Sequence, residues 1–334
     1  MTFKNIIFLL LATMLVLSCG KDEIEVIEKD QKTIICESDR YIKPIFAEVE
    51  VSTVKYGSNI NTSGLQQDLM MDIYQPKGDI LEKRPVLVLA FGGSFIGGDR
   101  KQLSELAIEM SKLGYVSVCI DYRLLSFNQF PFDSIKALDI AIKASTDMKA
   151  AIRHLRKDAA TENKFRIDPD FILAGGISAG AITAIQTAYF DASDNNESHI
   201  QNIIANNGGI EGNSGDAENL KYSSKVQGVI NMSGAIYRLP FIDSGEPPII
   251  SIHGDADEVV PYGYDDVKVF GFSIIPLYGS SEIEKRAKEV GIKSYFETVI
   301  GGGHEDIYTE ASFVSTFESF RQIAFGFNKE ILCQ

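Results

Sequence analysis

The chain has 334 residues, 45% hydrophobic and 23% charged, which is the composition of an ordinary globular protein long enough for one large domain or two smaller ones. A net charge of −14 and a pI of about 4.8 argue against nucleic acid as a partner, because phosphates would be repelled rather than neutralised. No repeat with a period of about 20 to 50 residues is present.

At the N-terminus, Lys4 precedes a run of apolar residues from Ile6 to Leu17. The run is shorter than the roughly 20 residues a membrane span needs, and it fits the apolar core of a secretory signal. It ends in Val16-Leu-Ser-Cys19-Gly20, which resembles a bacterial lipobox. The resemblance implies a signal peptide over 1–18, lipidation of Cys19 and a membrane anchor. Gly20 in the following position implies the outer membrane. Lys21-Asp-Glu23 resembles the charged signal that carries some lipoproteins to the cell surface, so the expected place is that surface or the periplasmic face. Residues 19–40 read as a polar tether and 41–334 as the folded domain. Cys119, in an apolar run, reads as a buried thiol. Cys36 and Cys333 stand near the two ends of the domain. Domain ends are often close and the compartment is oxidising, so a Cys36–Cys333 disulfide is expected.

Along the domain, Phe46–Tyr56 and Leu69–Tyr74 carry β-forming residues around the turn-rich stretch Gly57–Gly64, and they read as antiparallel edge strands. Val86–Phe91 is continuously apolar, which implies a strand covered on both faces. A helix follows from Lys101, with Leu103, Leu106, Ala107, Met110 and Leu113 on one side and Gly114 at its end. Tyr115–Asp121 is another strand. Ser134 is the expected cap of a long helix striped by Leu138, Ala141, Ile142, Met148, Ile152 and Leu155. Further strands are expected at Val226–Met232, Pro248–His253 and Tyr295–Ile300. A helix is expected over Ser281–Val290, and a last one carries Phe313, Phe317, Phe320, Ala324 and Phe327. The polar stretch 191–224 interrupts the pattern. Its position favours a functional loop near the site mouth over a solvated insertion. Alternating strands and helices predict an α/β fold with a mostly parallel central sheet, helices on both faces and ligands at the carboxyl ends of the strands.

One stretch organises the rest. Phe171–Ala184 reads as an apolar strand, a glycine-rich turn and a helix of small residues, with Ser178 inside Gly176-Ile-Ser178-Ala-Gly180. This G-x-S-x-G pattern lifts a serine clear of the sheet on a sharp turn that tolerates only tiny neighbours. A serine hydroxyl needs a base, and the base needs a carboxylate. Of the four histidines, His304 follows the last strand in Gly301-Gly-Gly-His304 and is the best base. His154 lies in the long helix and reads as packing. His199 lies in the polar stretch, and His253 reads as a buttress of the loop that follows it. That loop, His253-Gly-Asp-Ala-Asp257-Glu-Val-Val-Pro261, offers Asp255, Asp257 and Glu258 as acids. The aromatic residues after it (Tyr262, Tyr264, Phe270, Phe272, Tyr278) are either pocket lining or the core of an extra strand, the second being favoured.

The loop resembles the H-G-x-x-D-x-x-V-P acid loop of α/β-hydrolases, and that resemblance places the acid at Asp257. The chain order Ser178, Asp257, His304 is that of the same superfamily. Phe91-Gly-Gly-Ser94 resembles the H-G-G-G-F loop of carboxylesterases and hormone-sensitive-lipase-like esterases, and Asp121-Tyr-Arg-Leu124 resembles their D-Y-R-L segment, which supports the site without reacting. The resemblance covers about residues 68 to 325. It implies a single α/β-hydrolase domain, a Ser178–His304–Asp257 triad and an oxyanion hole from the amides of Gly93, Ser94 and Ala179. Phe91 in place of the loop His and Ser94 in place of the third Gly are departures that leave backbone donors intact. The expected activity is hydrolysis of carboxylic esters, small or polysaccharide-linked, of acetyl or feruloyl type. Neither metal nor cofactor is expected, since no Cys/His cluster has ligand spacing. A peptidase or acyltransferase would use the same triad. The rival from another class is a non-catalytic surface binding protein on a hydrolase scaffold.

Overall fold

A computed structural model describes residues 36, 38–194, 197–309 and 314–333; the leader, Cys19, most of the tether and Phe313 lie outside the described residues. The strands are β1 (Val49–Ile60), β2 (Gln66–Pro76), β3 (Arg84–Ala90), β4 (Val116–Ile120), β5 (Ile167–Ile177), β6 (Gly228–Met232), β7 (Ala235–Ile236), β8 (Ile249–Gly254), β9 (Tyr264–Val269), β10 (Phe272–Gly279) and β11 (Ser294–Val299). The helices are α1 (Ser104–Lys112), α2 (Ser134–Thr161), α3 (Ala179–Tyr189), α4 (Ser198–Asn206), α5 (Ser280–Val290), the single turn α6 (Asp306–Thr309) and α7 (Val314–Leu332).

Eight strands make one sheet in the order β1-β2-β4-β3-β5-β6-β8-β11. β1 and β2 are antiparallel at the N-terminal edge, β2 runs antiparallel to β4, and the pairs from β4 to β11 are parallel. Every residue of β3, β4, β6 and β8 is buried, as unbroken apolar runs require when helices cover both faces. One face packs on α2 and α3 through Leu138, Ile142, Met148, Ile152, Ile182 and Ile185. The other packs on α1 and α7 through Leu103, Ala107, Met110, Phe320, Ala324 and Phe327.

Register aligns the carboxyl ends of the strands that matter. Ile177 pairs with Met232, Met232 with Ile252, and Val299 with Gly254. The loops leaving β5, β8 and β11 therefore emerge at one level along one edge.

Several local expectations change. β1 continues through Ile60 with a bulge between Lys55 and Gly57, so the turn before β2 is shorter than the Gly57–Gly64 composition suggests. The extension is held by Asn59, whose Nδ2 donates to Asn213 Oδ1 and to Ser214 Oγ, each at 2.8 Å. The cap of α2 is Asp133, not Ser134; its carboxylate accepts from Lys136 N at 2.9 Å. No described residue of the 191–224 stretch lines either cavity at Ser178, where a loop at the site mouth was expected. The stretch contains α4 and then lies across α2, where Glu211 pairs with the buried Arg153 at 2.7 Å and Ile210 O accepts from the buried Lys149 Nζ at 3.1 Å. Buried cations on α2 need acceptors, and this stretch supplies them. Of the aromatics after the acid loop, Tyr278 on β10 packs against the core, as expected of an extra strand, and Phe270 lines a cleft with Ser178 and His304. β9 and β10 exist, paired with β7 in a small three-stranded sheet, but Tyr264, Phe270 and Phe272 are exposed and aliphatic side chains carry the packing.

Cys119 is buried, and burial pushes its thiol up. Cys36 and Cys333 are bonded, with Cα atoms 5.9 Å apart, and Lys329 Nζ donates to Ser38 O beside them. The bridge ties the start of the domain to the end of α7 across 297 residues of sequence. Removing it with a Cys36→Ser/Cys333→Ser pair is expected to lower the unfolding free energy by about 2–4 kcal/mol, since a long closed loop restrains the unfolded chain. Urea titration of the parent and the pair, with and without reductant, measures this; equal midpoints would refute it.

Candidate active site

The turn from β5 into α3 places Ser178 at φ 55°, ψ −121°, outside the regions an ordinary residue adopts. Backbone crowding explains its neighbours. A Cβ on Gly180 would lie 2.0 Å from Ala90 O, and one on Gly176 would lie 2.4 Å from Gly180 C. The Ser178 amide donates to Met232 O at 2.9 Å, which fixes the turn against β6. Ala179 is then the first helical residue of α3, and first-turn amides have no partner within their own helix.

His304 follows β11 and bridges the other two groups. Ser178 Oγ lies 2.8 Å from His304 Nε2, and His304 Nδ1 lies 2.6 Å from Asp257 Oδ2. This geometry assigns the Nδ1–H tautomer, with Nε2 free to accept the serine proton.

The Asp257 side chain is fully buried and takes donors on both oxygens. Oδ1 accepts from Val259 N at 2.8 Å and Val260 N at 3.0 Å; Oδ2 accepts from His304 and from His253 Nε2 at 3.1 Å. Burial pushes its pKa up, but the hydrogen bonds from His253 and His304 outweigh this and hold it at about 2. The other two acids are spent elsewhere. Asp255 Oδ1 accepts from Gly301 N at 2.6 Å, tying the acid loop to the histidine loop, and Glu258 faces an open cleft.

Behind Asp257 the buried His253 presents Nδ1 to Ser280 Oγ at 2.7 Å, and Ser280 also accepts from Asn231 Nδ2 at 3.0 Å. Both groups near His253 Nε2, Asp257 and Val260 O at 3.2 Å, are acceptors only, so Nε2 carries a proton. The sequence expected His253 to buttress its own loop; its bond to the carboxylate that holds His304 was not legible in the motif. The remaining histidines stand apart: His154 is half-buried on α2, and His199 sits on α4 with Nδ1 3.5 Å from Glu197.

Residues 71–266 match the family described as BD-FAE, well over half of the chain. The chain belongs to the BD-FAE family. The match includes Ser178 and Asp257 and ends before His304. No curated protein matches the sequence. Among solved structures, the propionate-bound form of a thermophilic esterase from the Planctomycetes species Thermogutta terrifontis is similar, at 21% identity and a TM-score of 0.57 over 86% of this chain and 96% of that one. Esterase 2 of the same organism phosphorylated by paraoxon gives 21% identity and 0.57 over 86% of this chain and 95% of that one. These likenesses carry the fold: a single α/β-hydrolase domain with a mostly parallel sheet.

In this BD-FAE protein the loop after β3 bends sharply. Gly93, Ser94 and Phe95 have φ of 123°, 55° and 61°. A Cβ on Gly93 would lie 2.2 Å from Gly97 O, so only glycine fits there. Gly93 O accepts from Ile96 N at 2.9 Å and Gly97 N at 3.1 Å, and Gly92 N donates to Gln102 Oε1 at 2.9 Å. Phe91, standing where the resembling esterases carry His, stacks on Tyr122 with ring centroids 4.3 Å apart, and Tyr122 OH donates to Phe91 O at 2.7 Å. The D-Y-R-L segment thus props the loop. Arg123, in the same segment, pairs with Asp147 at 2.9 Å in the core. Gly93 and Ser94 line the same cleft as Ser178, while Ser94 and Ala179 share a second cavity with it. Gln102 was missed as a support because it acts through a backbone amide that no motif marks, whereas Tyr122 supports the loop as its segment was expected to. Among the described residues no group of His, Cys, Asp and Glu could hold a metal ion.

Two outcomes follow from this geometry. Ser94 occupies a left-handed conformation that costs a non-glycine residue about 1–2 kcal/mol. Ser94→Gly is therefore expected to raise stability by about 1 kcal/mol, read by urea unfolding, while keeping the amide donor. The lowered Asp257 pKa contributes on the order of 2 kcal/mol of stability above the unfolded value near 4, and this is lost as pH falls through about 2. Asp257→Asn should be less stable than the parent at neutral pH and approach it at acid pH; a gap independent of pH would contradict the assignment.

Proposed function

We propose that the protein is a serine carboxylic ester hydrolase in which Ser178 is the nucleophile, His304 the general base and acid, and Asp257 the group that orients His304. The observation that carries this reading is the imidazole of His304 spanning Ser178 Oγ at 2.8 Å and Asp257 Oδ2 at 2.6 Å. Ser178 Oγ attacks the ester carbonyl carbon as its proton passes to His304 Nε2. Negative charge builds on the carbonyl oxygen and meets the amides of Ala179, Gly93 and Ser94. The bond to the alcohol oxygen breaks as His304 returns the proton to it, leaving an acyl-Ser178. Water then attacks the acyl carbon as its proton passes to His304 Nε2, and the bond to Ser178 Oγ breaks as His304 returns that proton to Oγ, releasing the acid and free Ser178.

Small and polysaccharide-linked esters, acetyl and feruloyl types included, are the substrates this reading covers. The names of the structural neighbours, an esterase bound to propionate and one phosphorylated by paraoxon, support an ester-cleaving serine. The leader adds a place: lipid anchoring through Cys19 at the outer membrane, supported by Lys4, the apolar run and the lipobox-like ending. An intact Ser178–His304–Asp257 arrangement speaks against the binding-protein rival.

Ser178→Ala is expected to lower p-nitrophenyl acetate hydrolysis by at least about a thousandfold with the fold intact by circular dichroism. The same change should abolish labelling by a fluorophosphonate. Turnover retained by the variant would refute the role of Ser178, and an unlabelled parent enzyme would favour the rival.

A further inference from the structure

Asp257 holds more donors than a His–Asp pair needs, and the surplus one is an imidazole. His253 shares Oδ2 with His304: its Nε2 lies 3.1 Å from that oxygen, against 2.6 Å for His304 Nδ1. His253 is fully buried and lines neither cavity at Ser178, so it reaches the reaction only through Asp257.

The buried groups behind His253 decide which way its hydrogen bonds run. Gly234 N donates to Asn231 Oδ1 at 2.8 Å, which fixes the side-chain amide and leaves Nδ2 as the donor. Nδ2 donates to Ser251 Oγ and to Ser280 Oγ, each at 3.0 Å. Ser280 Oγ has two acceptors for its own proton, His253 Nδ1 at 2.7 Å and Gly234 O at 3.4 Å. The second contact is longer than the range of about 2.5–3.0 Å in which a hydroxyl donates to oxygen, so the proton goes to Nδ1. His253 therefore accepts at Nδ1 and donates at Nε2. Its ring meets Tyr262 edge to face, with centroids 5.9 Å apart, and the Tyr262 hydroxyl is tied to Thr298 Oγ1 at 2.8 Å. Each hydrogen bond from Asn231 on β6 through Ser280 to His253 points towards Asp257.

We propose that His253 is a positioning residue for ester cleavage, whose Nε2–H fixes Oδ2 of Asp257 and draws off part of the charge that His304 meets. The inference rests on the serine-hydrolase reading and deepens it. Two effects follow. The loop amides hold only Oδ1, and His253 holds Oδ2 independently of His304. The acceptor thus stays in place while His304 gains and loses its proton, which spares reorganisation during the reaction. A donor on Oδ2 also spreads the carboxylate charge, and a more diffuse charge stabilises the imidazolium of His304 less. Activity should then persist to lower pH than it would with that donor removed. The other titratable groups nearby stay constant between variants at position 253. They are Asp255 and Glu258 of the acid loop, Lys268 on β9, Glu305, and Tyr308 on α6, whose hydroxyl burial holds protonated.

The test uses the full chain and p-nitrophenyl acetate, with kcat and kcat/KM followed against pH per fluorophosphonate-titrated Ser178. His253→Phe keeps a ring without the donor, and His253→Gln offers an amide N–H in place of Nε2–H. His253→Phe is expected to lower kcat by about tenfold to a hundredfold with KM within about twofold. It should also move the acid limb of kcat/KM up by about half to one pH unit. His253→Gln should recover most of kcat and return the limb to its parent position. Loss of packing alone lowers the amount of titratable enzyme and leaves the limb where it was. Nitrogen NMR of the four histidines needs no folded Phe variant: at neutral pH His253 should carry its proton on Nε2 and accept at Nδ1, with signals assigned by their loss in His253→Gln. An unmoved limb in folded His253→Phe, equal losses in both variants, or a proton on His253 Nδ1 would overturn this inference and leave the hydrolase reading standing. A parent enzyme with neither labelling nor hydrolysis would overturn that reading and this one with it.

Discussion

The carboxylate of Asp257 is the point on which the site converges. It is a buried charge, and a buried charge is tolerated only when its oxygens are satisfied. Two amides of its own loop hold one oxygen, and two imidazoles hold the other. The donors come from the loop after β8, from the end of β8 itself and from the loop after β11. The last of these imidazoles is the one that reaches Ser178. Behind the other stands a chain of buried groups, Ser280 and then Asn231, which joins β6 and the start of α5 to the same carboxylate. Parallel register makes this convergence affordable, because the strands end level with one another.

The opposite side of Ser178 depends on backbone strain held in place by packing. Ser178, Ser94 and Phe95 all have left-handed φ values, on two loops that touch each other. A Cβ on Gly92 would meet the side chain of Ile177 at 2.8 Å and Ser178 Cβ at 3.2 Å, so the two loops are as close as glycine allows. Strained turns persist when their surroundings over-determine them. Here the constraints are the Phe91–Tyr122 stack, the Gln102 side chain and the pairing of Ser178 N with Met232 O. The departure from the resembling loop at Phe91 is thus accommodated by an aromatic contact, and the one at Ser94 by strain.

Much of the fold was legible because its signals are local. Unbroken apolar runs such as Val86–Phe91 announce strands buried on both faces, and a stripe such as Leu138, Ala141, Ile142 announces a helix. Capping was misread by one residue at Asp133 and Ser134, since both are good caps and only the hydrogen bond to Lys136 N separates them. The 191–224 stretch was misplaced for a different reason. Its Asn, Gly and Ser content is that of a loop, but Lys149 and Arg153 sit buried on α2 and need the acceptors it carries. Burial of a cation cannot be read from a helix whose other residues form an ordinary apolar stripe. Two of the aromatics after the acid loop misled similarly: β9 and β10 face inward largely with aliphatic residues and leave Tyr264 and Phe272 in solvent.

What the amino-acid order determined alone is the strand–turn–helix around Ser178, the glycines that let it turn, and the placing of Ser178, Asp257 and His304, in that order, after three strands. These depend on steric rules acting over a few residues. The tertiary structure decided which of three neighbouring acids turns back to His304, that His253 shares that carboxylate, and that residues of the β9–β10 hairpin line both a narrow cavity and a wider cleft at Ser178. Each of those outcomes turns on which face of a strand meets which distant segment, and long-range register, not local pattern, sets that.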